Sequence, residues 1–581
     1  WRSPMKSIQG VASSRGIAIG PVFQFRRTEL KIETCQNQDP FSEWKRFESA
    51  LETARAQLTH VYEKALKETD KAQAEIFQFH IMMTEDADLL DRVKNTLEER
   101  RTNIESVYME VSQGYADELA KMDNEYFAAR SADVLDVANR VERILLGIAE
   151  SPTTGLEVPS IIVADDLTPS DTILLDKSLV LGFCTAQGST TSHAAILARG
   201  LGLAAVGGAG SGVLSLVEGT TIILDGGNGI VVIDPDSAAI AAYKSRAEHV
   251  RQLQVEALKH AHDPAVTLDG IQPEVSSNIG DVAGAKKAVA SGAEGVGLLR
   301  TEFLYMDRPA MPTEEEQYQA YKAILDEFGE MPVILRSLDI GGDKELVYLK
   351  MEPEMNPFLG VRALRLCLAQ PDIFKPQLRA ALRAGVGHNL KLMFPMVATL
   401  TEVREAKKWL NICREELKKE GIPYAEKIDV GIMVEIPAAA VCAHMLAREV
   451  DFFSIGTNDL SQYTMAADRG NPGVADLSDA FQPAVLRLIR DVIDASHKYG
   501  KWTGMCGELA GEPLAAPILI GLGLDEFSMS PPMIPVIKAL IRTLDSKEMK
   551  ILAAEALEKE TVEEVRALVR ARIPAAAALE G

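Results

Sequence analysis

At 581 residues the chain is longer than one hydrophobic core usually organises, so a length of roughly 100–200 residues per domain implies about three or more folded units. Apolar residues make up 47% and charged residues 25%, the mix of an ordinary soluble globular protein, and no apolar run reaches the roughly 18 residues of a membrane span. A net charge of −23 argues against nucleic acid or an anionic membrane as partner and favours a basic protein, while six scattered cysteines without a CxxC pair signal neither a disulfide framework nor a structural zinc site and suit the cytoplasm.

In chain order, GVASSRGIAIGPVF (10–23) reads as a turn and strand. After Pro40 and as far as Gly147 there is no further proline and only two glycines, with apolar residues at helical spacing through ARAQLTHVYEKAL, AEIFQFHIMM and ADVLDVANRVERILLG, which predicts a helical subdomain. From Val158 the texture changes to short β-rich runs, VPSIIVADDL, SLVLGFCTAQG, LAAVGG and TTIILD, and IILD-GGNG-IVVI reads as a hairpin. The polar helical text SAAIAAYKSRAEHVRQLQVEALKH suits a connector, with a domain boundary near residue 263. Beyond it, eight short apolar runs (PEVSSNIG, GVGLLRTEF, PVILRSLDIGGD, KLMFPMVAT, VGIMVEIPAA, DFFSIGTNDL, WTGMCGE and EFSMS) each precede helical text, the pattern of a (β/α)8 barrel of the TIM type. Chemistry in such barrels sits where strands end, and the run ends carry Asn278, Arg300, Arg336, Glu435, Asn458, Asp459 and Cys506.

Within GSTTSHAAILARG (188–200), Thr191 and Ser192 are N-cap candidates for a helix closed by Gly200, which places His193 at a helix N-terminus. Free N–H groups and the dipole there favour an anion, so a phosphoryl group on this imidazole would be stabilised; the plain alternative is a histidine that caps and packs. Arg300, Arg336, Arg362 and Arg469 fall in loops or run ends, where forked guanidinium groups can clamp phosphate and carboxylate, although each taken singly also suits a salt bridge. Glu435 and Asp459 offer hard oxygen ligands for Mg²⁺, or act as caps or arginine partners. Cys506, in GMCGE, reads as an accessible thiol beside cations and tuned for proton transfer, or else as an inert buried cysteine. Asp343 and Lys344 in IGGDKE can add contacts to the anion or the metal.

Read together, TSHAAILAR, GVGLLRTEFLYMDR, LDIGGDKEL, NPFLGVRALR, MFPM, VEIPAAA, DFFSIGTNDLSQYT and GKWTGMCGELAG resemble the enzyme I family of the bacterial phosphotransferase system, the phosphoenolpyruvate-protein phosphotransferases, from Ile8 onward. The resemblance implies a multidomain α/β plan: a swivelling phosphohistidine domain (1–27 and 149–235), an inserted helical subdomain that binds the carrier protein HPr (28–148), a helical linker (236–262), and a barrel that binds phosphoenolpyruvate and dimerises (263–581). It implies that His193 carries the phosphoryl group with Thr172 hydrogen-bonded to it, that Arg300, Arg336, Arg362, Arg469 and Asn458 hold the substrate, that Glu435 and Asp459 bind Mg²⁺, and that Cys506 protonates the enolate. His80, Met82, Met83 and Glu85 fall where the family docks its carrier. Two departures stand out: Gly188-Ser189-Thr190-Thr191-Ser192-His193 lacks the arginine of the family's usual Gly-Gly-Arg-Thr-Ser-His loop, and Gln78 and Phe79 replace a more polar pair. A relative of the dikinase type would need a large nucleotide-binding domain, whereas the text before the histidine domain is a short helical insert, so a protein acceptor is expected.

Overall fold

The computed structural model describes the chain except residues 1–5, 27–31, 38, 69–70, 121–124, 149–155, 168–170, 172–177, 189–192, 307, 309, 342–345, 347, 350–351, 353, 470, 472–473 and 581. It divides into two compact units, 1–247 and 248–580.

In the first unit, eight strands form one mixed sheet: β1 (Lys6–Gln9), β2 (Val11–Ser14), β3 (Ile17–Gln24), β4 (Ser160–Ala164), β5 (Val180–Thr185), β6 (Ala204–Gly207), β7 (Thr221–Asp225) and β8 (Ile230–Ile233), in the order β1-β8-β7-β3-β4-β5-β6-β2. The centre, β3 to β6, is parallel, and both its faces are covered: Ile161 and Val163 pack into one core, Ile162 and Ala164 into another. Burial on both sides is why these strands read as continuous apolar runs. β7 and β8 pair antiparallel through the GGNG turn, with Asp225 opposite Ile230. Because β5 and β6 are parallel neighbours, the chain must cross over between them, and the helix His193–Leu201 makes that crossover.

Five helices, Pro40–Glu68, Lys71–Met83, Ala87–Arg100, Ile104–Ala120 and Glu125–Leu145, occupy the stretch from Pro40 onward that holds no further proline. Their core gathers Phe47, Leu51, Val93, Leu97, Tyr108 and Val141. Asp86 caps the third helix by accepting from the Leu89 N–H at 2.9 Å. The helix Ser237–Lys259 buries only Val250 and Ala257, the polar surface expected of a connecting helix.

The second unit is a closed parallel barrel of β9 (Glu274–Ile279), β10 (Val296–Leu299), β11 (Val333–Arg336), β12 (Leu390–Phe394), β13 (Asp429–Val434), β14 (Phe452–Ile455), β15 (Trp502–Met505) and β16 (Glu526–Met529), closed where β16 pairs with β9. All eight apolar runs of the sequence became its strands. Its helices are cut by local signals: Thr313 and Glu316 form a capping box at the start of Glu314–Phe328, Thr399 and Glu402 another at Leu400–Glu420, and Gly421 ends the latter at φ 69°. The barrel interior carries Leu298, Ile334, Met393, Met433, Phe452 and Cys506, with Phe452 stacked on Trp502 at 4.7 Å.

Candidate active site

Alternate residues of a barrel strand point inward, so side chains at or just beyond the strand ends converge over the carboxyl-end mouth. Arg336 is the last residue of β11, and Arg300, Glu435 and Cys506 directly follow β10, β13 and β15. Arg362 precedes the helix Ala363–Ala369, while Asn458 and Asp459 lie in the first turn of Thr457–Met465, after β14. The fold brings these groups to one end of one barrel.

The arginines divide into two kinds. Arg300 is exposed and Arg469 half-buried, whereas Arg336 and Arg362 are 7% and 4% exposed and already held by acids. Arg336 donates to Glu302 Oε1 at 2.9 Å and pairs with Asp339 Oδ2 at 3.0 Å. Arg362 donates to the other oxygen of Asp339 at 2.9 Å, to Asp459 Oδ1 at 3.1 Å and to the Tyr463 hydroxyl at 3.3 Å. Arg469 approaches Asp459 Oδ2 at 3.6 Å. Burial works against both internal guanidinium charges, but Glu302, Asp339 and Glu435 around Arg336, and Asp339, Asp459 and Glu435 around Arg362, outweigh it and hold both firmly protonated. The inner pair is thus salt-bridged, but buried at the barrel mouth and not on the surface as the plain alternative had it. Asp339 and Glu302, which tie the network together, escaped the sequence reading; their signal was a carboxylate within three residues of an arginine in LRSLD and RTEF.

Glu435 is buried and accepts from the Met396 N–H at 2.7 Å, with Met396 itself in the left-handed region at φ 55°. Burial, then the Asp459 and Asp339 carboxylates, push the Glu435 carboxyl up to about 8. Among the described residues no trio of His, Cys, Asp or Glu is arranged to hold a metal. Mg²⁺, however, typically takes one or two carboxylates from the protein and its other ligands from water and phosphate. Glu435 and Asp459 fit that requirement, and a cation between them would relieve the crowding of negative charge.

Cys506 corrects an expectation. Its thiol is 4% exposed, not accessible, and burial pushes it up to about 12 despite the Ser454 hydroxyl beside it. Such a thiol keeps its proton at neutral pH, as a donor must. Asn278 donates to the Cys506 carbonyl at 2.9 Å and Asn458 accepts from the Glu508 N–H at 3.1 Å, so both amides brace the loop that carries the thiol.

In the other unit, His193 is the first residue of its helix, at the carboxyl end of β5; only its backbone is described. The helix runs to Leu201 and is closed by Gly202 at φ 67°, not by Gly200: the Leu203 N–H reaches Ala198 O and the Gly202 N–H reaches Arg199 O. Thr172, Thr191, Ser192, Asp343 and Lys344 lie outside the described residues. On the helical insert, Met82 is 60% exposed and Glu85 is exposed and paired with Arg55 at 3.1 Å, with Met83 half-buried. His80 is wholly buried against Asp133 at 3.2 Å, so it offers no surface to a partner.

A barrel mouth that gathers guanidinium groups and carboxylates suits a small anionic ligand. Residues 254–546 match the PEP-binding domain of the PEP-utilising enzymes, residues 156–229 their mobile domain and residues 9–130 their N-terminal region. The chain belongs to the phosphoenolpyruvate-utilising enzymes and, within them, to the phosphoenolpyruvate-protein phosphotransferases. Proteins of that name from Bacillus sp. (strain S) and Listeria monocytogenes are each 46% identical over 97% of this chain, covering 98% and 99% of their own length. The Bacillus subtilis protein is 45% identical over 97% of this chain and 99% of its own.

Proposed function

We propose that this phosphotransferase moves the phosphoryl group of phosphoenolpyruvate onto His193 in an Mg²⁺-dependent step, releases pyruvate, and passes the group to HPr or an HPr-like carrier as the first step of a sugar phosphotransferase system. The observation that carries the substrate assignment is a pair of buried donors at the mouth: Arg336 Nε and Arg362 Nε have no hydrogen-bond partner among the described residues. Buried N–H groups are seldom left unpaired, and an anionic ligand would satisfy both.

On this reading Arg300 and Arg469 receive the substrate from solvent, Arg336, Arg362 and Asn458 orient it, and the acids behind the inner arginines keep them rigid. Glu435 and Asp459 hold Mg²⁺, which supplies charge neutralisation on the phosphate oxygens. Cys506 gives its proton to the methylene carbon of the enolate. The helix N-terminus beneath His193 stabilises the phosphoryl group once attached, with Thr172 bonded to the ring. Transfer between sites calls for a swivel of the histidine domain (1–27 and 149–235) about the 236–262 linker, the helical insert (28–148) receiving the carrier and the barrel (263–581) pairing two subunits in the cytoplasm.

The test is incubation with labelled phosphoenolpyruvate and Mg²⁺. Acid-labile, base-stable label that disappears in His193→Ala is expected; label retained by that variant would overturn the assignment.

A further inference from the structure

The mechanism leaves one demand unmet: after Cys506 gives up its proton, a thiolate remains in a buried place and must be reprotonated. The barrel interior below it is unusual on one side. Across β10, β11, β12 and β13 the inward side chains next below the mouth are Leu298, Ile334, Met393 and Met433, an apolar plug. Across β14, β15, β16 and β9 the corresponding positions are Ser454, Gly504, Ser528 and Ser276, all small and three of them hydroxyls. Into the space they leave rises Glu526, the first residue of β16.

The Glu526 carboxyl is 2% exposed and, apart from the Ser276 hydroxyl beside it, neither oxygen has a partner among the described residues. It is there because two neighbours lack side chains: a Cβ on Gly504 would stand 2.0 Å from Glu526 Oε2, and one on Gly297 would stand 2.0 Å from Oε1 and 2.5 Å from Ser528 Oγ. Gly504 lies directly opposite Ser454 in the β14–β15 ladder, one strand spacing of about 4.8 Å away. The Ser454 hydroxyl lies beside the Cys506 thiol and has no hydrogen-bond partner among the described residues, while the thiol itself donates to the Ile455 carbonyl at 3.9 Å. Ser454, Gly504 and Glu526 thus share one row of the ladder, with the Cys506 thiol two residues above Gly504 and within electrostatic reach of Glu526. The ionisable groups around them are Glu274 on β9, beside Glu526, and Glu435 and Arg336 at the mouth, beside Cys506. Among the described residues no cation pairs with Glu526, so burial and the Glu274 carboxylate favour its protonated form.

We propose that Glu526 is the proton reservoir of this site, restoring the Cys506 proton through the Ser454 hydroxyl after each turnover. The inference rests on Cys506 being the acid. Its S–H bond breaks as the C–H bond of pyruvate forms; the Ser454 O–H proton then passes to the thiolate while Ser454 takes the Glu526 proton, leaving a carboxylate. That carboxylate is recharged from solvent by way of Ser276 and Glu274, which share a 2.8 Å hydrogen bond and lead to the half-buried rim at the amino end of the barrel. Glu526 and Ser454 are positioning residues that act through Cys506.

The experiment needs no carrier. The full chain is incubated with Mg²⁺, phosphoenolpyruvate and carbon-labelled pyruvate in D₂O, and two exchanges are read together: carbon label into phosphoenolpyruvate, and deuterium into its vinyl position. In carbon exchange the thiolate takes its proton from the methyl group of the incoming labelled pyruvate and needs no reservoir; deuterium entry does. Glu526→Gln and Ser454→Ala are each expected to keep carbon exchange near the wild-type rate and to lose about tenfold or more of the deuterium entry. Ser454→Ala carries the test if Glu526→Gln does not fold. Undiminished deuterium entry in both variants, or equal loss of both exchanges, would overturn the relay. Cys506→Ala should abolish carbon exchange; if it does not, Cys506 is not the acid and the reservoir falls with it.

Discussion

Arg362 and Asp459 lie 97 residues apart, one before the helix Ala363–Ala369 and the other in the first turn of Thr457–Met465, yet guanidinium and carboxylate meet at 3.1 Å, and Asp339 ties the same guanidinium to that of Arg336. Two buried cations share one buried acid. Removing that acid should cost more than a surface salt bridge would, about 3–5 kcal/mol, because it strands charges already taken out of water. Asp339→Asn is expected to lower the melting temperature of the barrel, and phosphoenolpyruvate with Mg²⁺ should then raise it by more than in the wild type, since the ligand replaces the missing counter-charge. An unchanged melting temperature, or a smaller ligand shift, would contradict this account of the network.

The buried thiol makes a separate prediction. At pH 8.5 iodoacetamide should modify the exposed Cys35 and spare Cys506, whose proton burial retains up to about 12. Peptide mass mapping reads the two sites side by side. Comparable labelling of both would show that Cys506 is reached by solvent.

The eight barrel strands were legible because strands buried on both faces are short apolar runs between turn residues. The helix after His193 was legible because AAILAR is good helical text, but its end was misplaced by two residues, since the left-handed position and the two closing hydrogen bonds belong to Gly202. The Arg336–Asp339–Arg362–Asp459 chain was not legible as a network, because Arg362 lies 23 residues beyond Asp339 in the connection after β11 and Asp459 belongs to the helix after β14, which only barrel closure brings beside it. Glu526 was hidden more thoroughly: a glutamate opening EFSMS reads as a solvated strand end, and what turns it inward is the absence of side chains at Gly297 and Gly504 on other strands.

For carrier docking, the exposed Met82 and Glu85 separate from the buried His80. Met82→Ala combined with Glu85→Lys should weaken HPr binding roughly tenfold without moving the melting temperature, as loss of exposed contact residues does. His80→Ala should instead lower the melting temperature, because it empties a wholly buried ring site and removes the hydrogen bond to Asp133, at about 1–3 kcal/mol. Calorimetric titration with HPr and a thermal melt of each variant distinguish the two; a double variant that binds HPr as tightly as the wild type would remove Met82 and Glu85 from the docking surface.

Glu142 gives the helical insert a pH dependence of its own. It is wholly buried in the helix Glu125–Leu145, neither carboxyl oxygen has a partner among the described residues, and burial, then the nearby Glu105, push it up to about 9. In the unfolded chain a glutamate titrates near 4.3. Below that value both states hold the proton and the group is neutral towards folding. Between there and about 9 only the unfolded state releases it, so stability falls as pH rises, by at most about 1.4 kcal/mol per pH unit. Glu142→Gln keeps the shape and removes the titration. It should therefore melt higher than the wild type at pH 8, with the difference closing towards pH 4.5. Calorimetric scans at the two pH values check it, and a variant that melts no higher than the wild type at pH 8 would mean that Glu142 ionises in the folded protein at little cost.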